Sequence, residues 1–576
     1  MKQILLFPLL LFPFCLLTGQ GSFTRVTDPN NPAITFTNTA APYKGASWID
    51  LDHDNWPDLF VNQRFLFRND RHGSFVKLPD LNGATAGQIA SGSSWGDLDN
   101  DGAHDVITAS LTSGVHHNNG DNTFSLLNAS LPDFTNYSAW DCALADADNN
   151  GRLDLAFVHA CCSFHPTGPF PCRLYLQDSS GAFAKVSGYE FTDANAPYTI
   201  PTWSDYDLDG DMDLFIGSGP ASVAPQPDFN YKNLLKETGT FSLERLTNFP
   251  FMVPQDGQTY NFIDIENDGD LDICLTNYSQ APTRLYRKDP NAYVNLTTPF
   301  TVTASHLSNC WGDLDNDGDL DVLIAEDGVA TVKWYRNEKG QFAAAKTAGT
   351  AGNQVCGIAL ADYDNDGDLD FYTNGVTEGR ALFRNDTLTG TRRWAQFTLE
   401  GVESNRSAIG ALLRLKATIK GQEVWQIREV TAHNSFQGQN DLRQHFGLND
   451  ADQVDSLVVR WPSGLVETFT GLAYNTFYKI VEGQSIGVIT AAPEPGAAPA
   501  FEVSPNPVHQ DFFVRSPEKI TMVEMFDTSG RLIPLSKNPG DLRWQVSLTG
   551  QVPAGTYFLR VHFANGATGL RQLVKF

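Results

Sequence analysis

Between residues 45 and 390 the apolar residues follow no helical period. They come in runs of two or three, each directly behind an acidic stretch: Leu59-Phe60-Val61, Val106-Ile107, Leu155-Ala156-Phe157, Leu214-Phe215-Ile216, Ile273-Cys274-Leu275, Val322-Leu323-Ile324 and Phe371-Tyr372. Short apolar runs bounded by Asp, Asn and Gly read as buried strands. Most acidic stretches also follow a short run of small and apolar residues such as Ser47-Trp48-Ile49, and Trp95, Trp203 and Trp311 take the place of Trp48 before the second, fourth and sixth. A third signature comes next in most units, as in Leu66-Phe67-Arg68-Asn69, Leu174-Tyr175-Leu176, Leu285-Tyr286-Arg287, Trp334-Tyr335-Arg336-Asn337 and Leu382-Phe383-Arg384-Asn385. A turn and a Gly-x-Phe strand complete it: Gly73-Ser74-Phe75, Gly181-Ala182-Phe183, Gly239-Thr240-Phe241 and Gly340-Gln341-Phe342. Each unit thus reads strand, acidic loop, strand, strand, strand.

The loops start at Asp50, Asp97, Asp146, Asp205, Asp264, Asp313 and Asp362, at intervals of 47, 49, 59, 59, 49 and 49 residues. Four strands in a unit of about 45 residues is the period of a propeller blade. The chain is therefore expected to be all-β, with a seven-bladed β-propeller over residues 22–390. The seventh unit has no clear Gly-x-Phe strand of its own. Gly21-Ser22-Phe23-Thr24-Arg25-Val26 resembles Gly73-Ser74-Phe75-Val76-Lys77-Leu78 and is predicted to supply it, closing the ring and hiding its edges.

The loops carry candidate metal ligands at positions 1, 3, 5 and 9. These are Asp50, Asp52, Asp54 and Asp58; Asp97, Asp99, Asp101 and Asp105; Asp146, Asp148, Asn150 and Asp154; and Asp205, Asp207, Asp209 and Asp213. The remaining three sets are Asp264, Glu266, Asp268 and Asp272; Asp313, Asp315, Asp317 and Asp321; and Asp362, Asp364, Asp366 and Asp370. All are oxygen donors, position 7 needs only its carbonyl, and glycine at position 6 permits a sharp turn, so the pattern points to up to seven Ca2+ ions rather than Mg2+. Blade one has Asn55 at position 6, the non-glycine residue most tolerant of left-handed backbone. Asn150 and the longer Glu266 are expected to weaken the third and fifth sites.

Net charge is −27, which argues against nucleic acid and anionic membrane surfaces as partners. The seven loops hold 31 of the 67 acidic residues, and seven divalent ions would bring the charge to about −13, so much of the acidity belongs to the loops. The first 21 residues read as a secretory signal: Lys2, an apolar run from Ile4 to Leu17, then Thr18-Gly19-Gln20-Gly21 for cleavage. Bulky Phe12, Pro13 and Phe14 before Cys15 argue against lipidation, and no later segment is apolar enough to span a bilayer. Cys142, Cys274, Cys310 and Cys356 read as buried hydrophobes, while a bridge from Cys172 to Cys161 or Cys162 is plausible.

The repeated acidic loops resemble the FG-GAP/VCBS repeats of integrin α-subunit propellers and of secreted bacterial proteins, over roughly residues 30–390. That likeness implies a structural calcium ion in the first hairpin of each blade. From Trp394 the texture changes. Asn405-Arg406-Ser407-Ala408-Ile409-Gly410-Ala411, Arg428-Glu429-Val430, Ser435-Phe436-Gln437-Gly438-Gln439, His445-Phe446-Gly447-Leu448 and Val454-Asp455-Ser456-Leu457-Val458-Val459-Arg460-Trp461 resemble the ASPIC/UnbV domain of the cartilage acidic protein family, here a small β-rich domain at 391–488. Thr431-Ala432-His433-Asn434 departs from that family's Gly-Tyr/Ser-rich turn. Residues 489–500 form a Pro- and Ala-rich linker. Segments such as Asp511-Phe512-Phe513-Val514, Val523-Glu524-Met525-Phe526 and Thr556-Tyr557-Phe558-Leu559-Arg560-Val561 predict a β-sandwich at 501–576 resembling the C-terminal sorting domain of type IX secretion.

These resemblances imply a calcium-binding propeller that is secreted or held on the outer-membrane surface of a Gram-negative bacterium, handled by the type IX secretion machinery, and used in binding or adhesion to a glycan or a surface protein. The alternative is a polysaccharide-acting enzyme with acids near the central channel. Arg406, Arg428, His433, His445 and Asp455 offer the raw material of an active site without a nucleophile–base pair, and His116-His117 reads as a solvated loop. The insertions at 159–172 and 217–232 are the richest candidates for ligand contact, with Phe164, Phe170, Phe229 and Tyr231, which could equally pack over the propeller face.

Overall fold

The computed structural model describes residues 23–38, 43–81, 90–134, 137–159, 171–219, 226–248, 252–279, 281–290, 292–386 and 392–489. It also describes 501–575, with breaks at 505, 507, 518, 528–532, 539–541, 550–551 and 564–567. The signal segment with Cys15, the linker, Cys161, Cys162, Phe164 and Phe170 lie outside the described residues. Residues up to Gly487 form one compact unit and those from Val488 another.

In the first unit, seven sheets follow the seven acidic units, each with four antiparallel strands; that of blade two gains a fifth, Tyr43–Lys44, parallel to its first strand. Blade one is Ala46–Ile49, Asp58–Val61, Phe65–Asn69 and Phe75–Lys77. Each blade's first strand abuts the first strand of the next, and that of the seventh blade abuts that of the first, so the seven form a closed ring. The seventh sheet orders Val355–Ala361, Asp370–Gly375, Ala381–Asn385 and then Phe23–Arg25, with Phe23 opposite Asn385 and Arg25 opposite Phe383. The predicted closing strand is therefore in place. Phe23 also meets Trp334 and Phe371 edge to face, with ring centroids 5.7 and 4.9 Å apart.

The tryptophans before the loops act as wedges between blades. Trp48, fully buried, stacks on Tyr363 of blade seven, and Trp95 meets Phe60 of blade one with centroids 5.0 Å apart. Two outer strands differ from expectation. In blade six Gln341–Phe342 pairs with Asn337–Glu338 in a separate two-stranded ribbon, and the outer strand is Lys346–Thr350. The reason is local: Lys339 and Gly340 both have positive φ (47° and 79°), the two-residue hairpin turn that folds the chain straight back on itself. In blade four a helical turn, Leu235–Thr238, precedes the outer strand and moves it two residues past Phe241, to Leu243–Arg245.

Two sheets make up the rest of this unit. One is built on Arg393–Glu400, antiparallel to Gln444–Asn449 and parallel to Thr476–Val481. The other runs Gln422–Glu429, Leu412–Ile419, Val454–Arg460 and Val466–Leu472. Their shared core, with Phe397, Leu413, Leu415, Leu457 and Val459, is continuous with Leu98, Leu144 and Leu153 of blades two and three. The domain is thus packed onto the propeller.

The second unit has two antiparallel sheets, one of Glu502–Ser504, Asp511–Arg515, Arg543–Leu548 and Leu535–Asn538, the other of Ile520–Asp527, Gly555–Phe563 and Thr568–Lys575. Phe512, Val514, Val523, Met525, Val546, Leu559 and Val561 form its core, as the period-two pattern predicts for a sandwich. Cys142, Cys172, Cys274, Cys310 and Cys356 are buried free thiols, so the bridge expected at Cys172 is not present. Among the described residues no helix is long and apolar enough to cross a membrane.

Candidate metal centres

The acidic loops share one pattern of hydrogen bonds, complete in blades one, two, three, five and seven; in blades four and six Oδ2 of Asp213 and of Asp321 has no donor. The first carboxylate closes the turn: Asp50 accepts from the N–H groups of Asp54 and Asn55 at 2.9 Å each, and Asp313 from Asp317 at 3.0 Å and Gly318 at 2.7 Å. The ninth ties the loop to the third strand: Asp58 accepts from Leu51 N–H at 3.0 Å and from Asn69 N–H at 2.6 Å. Position 6 is left-handed throughout, with Asn55 at φ 66° and the six glycines between 82° and 103°.

This scaffold gathers the predicted ligands. Oxygens of Asp50, Asp52 and Asp58, of Asp97, Asp99 and Asp101, of Asp146, Asp148 and Asp154, and of Asp205, Asp207 and Asp213 lie within 4.8 Å of one another. Asn150 keeps the turn bond of its counterparts, accepting from Arg152 N–H at 2.8 Å, while its amide donates to Gln177 O at 2.7 Å. Several oxygens face no donor: Asp148 Oδ1, Asp205 Oδ1, Asp207 Oδ1, Asp213 Oδ2, Asp321 Oδ2 and Asp364 Oδ1 are buried without a hydrogen-bond partner. A buried carboxylate oxygen without a donor is strongly disfavoured unless a cation meets it. Burial, reinforced by like charges, raises the carboxyl of Asp146 to about 7, and burial also pushes Asp50, Asp264 and Asp362 to about 7, Asp205 to about 6 and Asp272 to about 8. Oxygen donors, clustered, buried and short of positive charge, fit Ca2+.

Some compensation comes from the third strand, at the residue before the one whose N–H caps position 9. Arg336 pairs with Asp315 Oδ2 at 2.6 Å and also with Asp317; Lys232 pairs with Asp207 and, at 3.1 Å, with Asp209; Arg287 stands 3.8 Å from Glu266. Blade three has Leu176 there.

The sequence reading missed two devices. Position 4 is also left-handed, and the Asn found there in five loops reaches the position-6 carbonyl of the following loop. Asn100 bonds Gly151 O at 2.8 Å, Asn149 Gly210 O at 2.9 Å, Asn267 Gly318 O at 3.0 Å, Asn316 Gly367 O at 3.0 Å and Asn365 Asn55 O at 3.1 Å. The recurrent Asn at position 4 was the available signal. The third-strand Asn stitches the other way, as Asn69 Nδ2 to Tyr363 O at 2.7 Å and Asn337 Nδ2 to Ile265 O at 2.8 Å.

The second device is a cover. Residues of the domain after Trp394 reach all seven loops. Arg443 donates to Asn55 O at 3.4 Å and to Asp362 O at 2.9 Å, Ser407 Oγ accepts from Asp97 N–H at 2.8 Å, and Glu429 accepts from Asp205 N–H at 2.8 Å. Asn449 donates to Asn316 O at 3.0 Å, and Gln396 to Asp362 Oδ2 at 2.6 Å. Gly151 and Gly269 lie so close to Glu403 and Arg414 that an added Cβ would stand 2.5 and 3.2 Å from them.

From this cover a finger, residues 432–441, enters the ring. Gln439 joins blade one (Trp48 N–H to Gln439 O, 3.1 Å) and blade two (Trp95 N–H to Gln439 Oε1, 2.9 Å). His433 Nε2 is 3.0 Å from Asp141 of blade three, and Asn434 O accepts from Asn261 of blade five at 3.3 Å. Asn440 Oδ1 accepts from Cys310 of blade six at 3.1 Å and from Leu360 N–H of blade seven at 2.8 Å. Phe436, fully buried, packs with Trp140, Ile200, Leu307 and Cys356, drawn from blades three, four, six and seven. The finger occupies the place expected to offer catalytic acids, and beside it lies a cavity of about 110 Å³ whose lining includes Asp362, Arg428, Glu429, His433, Asp441 and His445.

The other candidates take structural places. Arg406 pairs with Glu400 at 2.7 Å, half-buried Arg428 donates to Ile427 O and His445 O, and His445 Nε2 meets Gly367 O at 3.3 Å. Asp455 pairs with Thr418 on an exposed edge and Arg406 lies apart, whereas Arg428, His433 and His445 line one cavity. Phe229 and Tyr231 are buried in blade four against Tyr198 and Phe191 rather than turned to a ligand. His116 and His117 lie on a strand, Gly114–Asn118, not in a solvated loop; His116 is buried beside Thr108, and His117 faces the blade-two carboxylates.

Residues 401–487 match the ASPIC and UnbV family model, and residues 264–324 and 313–373 match the FG-GAP-like repeat. No curated protein matches the chain. Among solved structures the chain is similar to an Agrocybe aegerita lectin that recognises non-reducing terminal N-acetylglucosamine, at 14% identity and TM-score 0.37, over 75% of this chain and 96% of that one. The soluble aldose sugar dehydrogenase of Escherichia coli (10%, TM-score 0.30, 61% and 98%) and the Dos1 propeller (10%, TM-score 0.30, 60% and 93%) are also similar.

Proposed function

We propose that this chain, which carries FG-GAP-like repeats and an ASPIC/UnbV domain, is a calcium-stabilised binding protein rather than an enzyme. The observation that carries the reading is the burial of donorless carboxylate oxygens beneath a domain that reaches all seven loops. A metal held there is fastened between two layers of protein, and its role is structural. Binding then belongs to the opposite face, where the second and third strands of each blade are joined; in blade three that connection runs from Val158 to Arg173 and in blade four from Ser218 to Phe229. The ligand class is a glycan or a surface macromolecule, and the place is outside the cell, reached through the type IX machinery that the C-terminal sandwich resembles.

Metal analysis by mass spectrometry together with melting curves in chelator tests the first half. Several calcium ions per chain and a large chelator shift are expected; a calcium-free protein with an unchanged melting curve would refute it. A glycan array beside a turnover assay on the same sugars tests the second half, and cleavage of a bound sugar would replace binding by catalysis.

A further inference from the structure

The third-strand residue that overlooks each acidic loop differs among blades: Arg68, His117, Leu176, Lys232, Arg287, Arg336 and Arg384. The arginine and lysine heads can only repel a divalent ion or lie aside from it, as the ion pairs of Lys232 and Arg336 with their loops illustrate, and Leu176 offers no ligand atom. His117 alone can bind an ion, because a neutral imidazole nitrogen is a metal ligand. Its geometry suits that role. His117 Nδ1 lies 3.1 Å from Asp105 Oδ1 and 3.5 Å from Asp99 Oδ2, and ligand atoms of all three residues lie within 4.8 Å of one another. Two ligands on one tetrahedral zinc ion at about 2.1 Å stand about 3.4 Å apart. The observed spacings bracket that value.

We propose that blade two holds a mixed nitrogen–oxygen site, with His117, Asp99 and Asp105 as ligands, that selects a borderline divalent ion such as Zn2+ or Co2+ over Ca2+. Imidazole suits zinc and its neighbours, whereas all-oxygen sets suit calcium, so one substitution in a repeated position changes the class of ion taken. Asp105 is fully buried and fixed by Leu98 N–H at 2.8 Å and Asn118 N–H at 2.7 Å, while His117 and Asp99 remain partly open to solvent, giving an ion a rigid floor and a way in. The proposal rests on the reading that the acidic loops hold divalent ions, and it makes a separable claim about one of them.

The test is titration of the full chain with Co2+ and Zn2+ in excess calcium, read by cobalt absorption and calorimetry. One equivalent that calcium does not displace is expected, with nitrogen ligation in the cobalt spectrum. H117R, which copies the residue of blades one, five, six and seven, should fold as judged by its melting curve in calcium and lose Zn2+ affinity by at least about 100-fold, beyond the usual effect of an outer-sphere partner. H53A should leave the site intact. Absence of the equivalent in the wild type, its survival in H117R, or its loss in H53A instead would each overturn the proposal. Calcium loading measured in parallel separates the claims: loaded calcium without a zinc site defeats only this one.

Discussion

Blades three and six carry the same nine-residue loop and solve its charge problem differently. In blade six Arg336 from the third strand and Arg392 from the connection beyond the ring both pair with Asp315, at 2.6 Å each, and Arg336 also reaches Asp317. In blade three Leu176 stands where Arg336 would, Asn150 is engaged in its own turn, and Asp148 Oδ1 has no partner. The turns closed by Asp146 and Asp313 match, but Asp154 Oδ2 accepts from Ala147 N–H whereas Asp321 Oδ2 has no donor; the larger difference is who supplies the positive charge. Blade six draws part of it from the protein, whereas in blade three, on the proposed reading, it falls to an ion. A repeat can therefore keep its geometry while its dependence on metal drifts, one residue at a time.

The comparison can be broken in several ways. The largest effect is expected from chelation, which should lower the melting temperature by about 10 °C or more, since each site occupied at a hundredfold excess over Kd contributes roughly 2.7 kcal/mol. Under chelator, hydrogen exchange should rise first in the blade-three segment 146–158 and last in 313–324; the reverse order would sink the comparison. Next, R336L should make blade six resemble blade three, costing roughly 1 kcal/mol without metal after allowance for the guanidinium's exposure, and enlarging the chelator shift. L176R should do the opposite, raising the metal-free melting temperature by roughly 2 °C and weakening one calcium site; equal calcium affinity before and after would separate charge from selectivity.

The smallest effect is the slope with pH. Burial holds Asp50, Asp146, Asp264 and Asp362 near 7, above an unfolded carboxyl, so the metal-free folded state binds more protons than the unfolded one between about pH 4 and 8. Its stability should rise as pH falls through that window. With calcium the slope should invert, because the ion needs the carboxylates ionised. Melting curves at pH 5 and 8, with and without calcium, check both signs.

Most of the ring was legible in the sequence because its determinants are local. An acidic loop, the strand behind it and the Arg-Asn signature lie within 25 residues of one another, and repetition amplifies a weak pattern; even the closing strand carried the Gly-x-Phe mark of its relatives. The cover and finger were not legible. Gln439 meets Trp48 and Trp95, and Asn449 meets Asn316, across separations that no periodicity encodes. Arg428 and His445 looked available for chemistry because a sequence displays their functional groups and not the carbonyls that occupy them. The expected solvated loop at His116-His117 failed for a simpler reason: polar residues can occupy a strand when one side lines a blade and the other a charged loop.

The closing strand has a consequence for assembly. Phe23–Arg25 emerges from the ribosome before any other described strand, yet its partner, Ala381–Asn385, is made more than 350 residues later. Joining them demands a loop closure spanning the whole ring, so the fold's most non-local contact comes late, and the oldest strand waits with a bare edge. The finger cannot seat until the blades that grip it are gathered. Blades can pair their own neighbouring strands as they are made, but the ring stays open until the last blade exists.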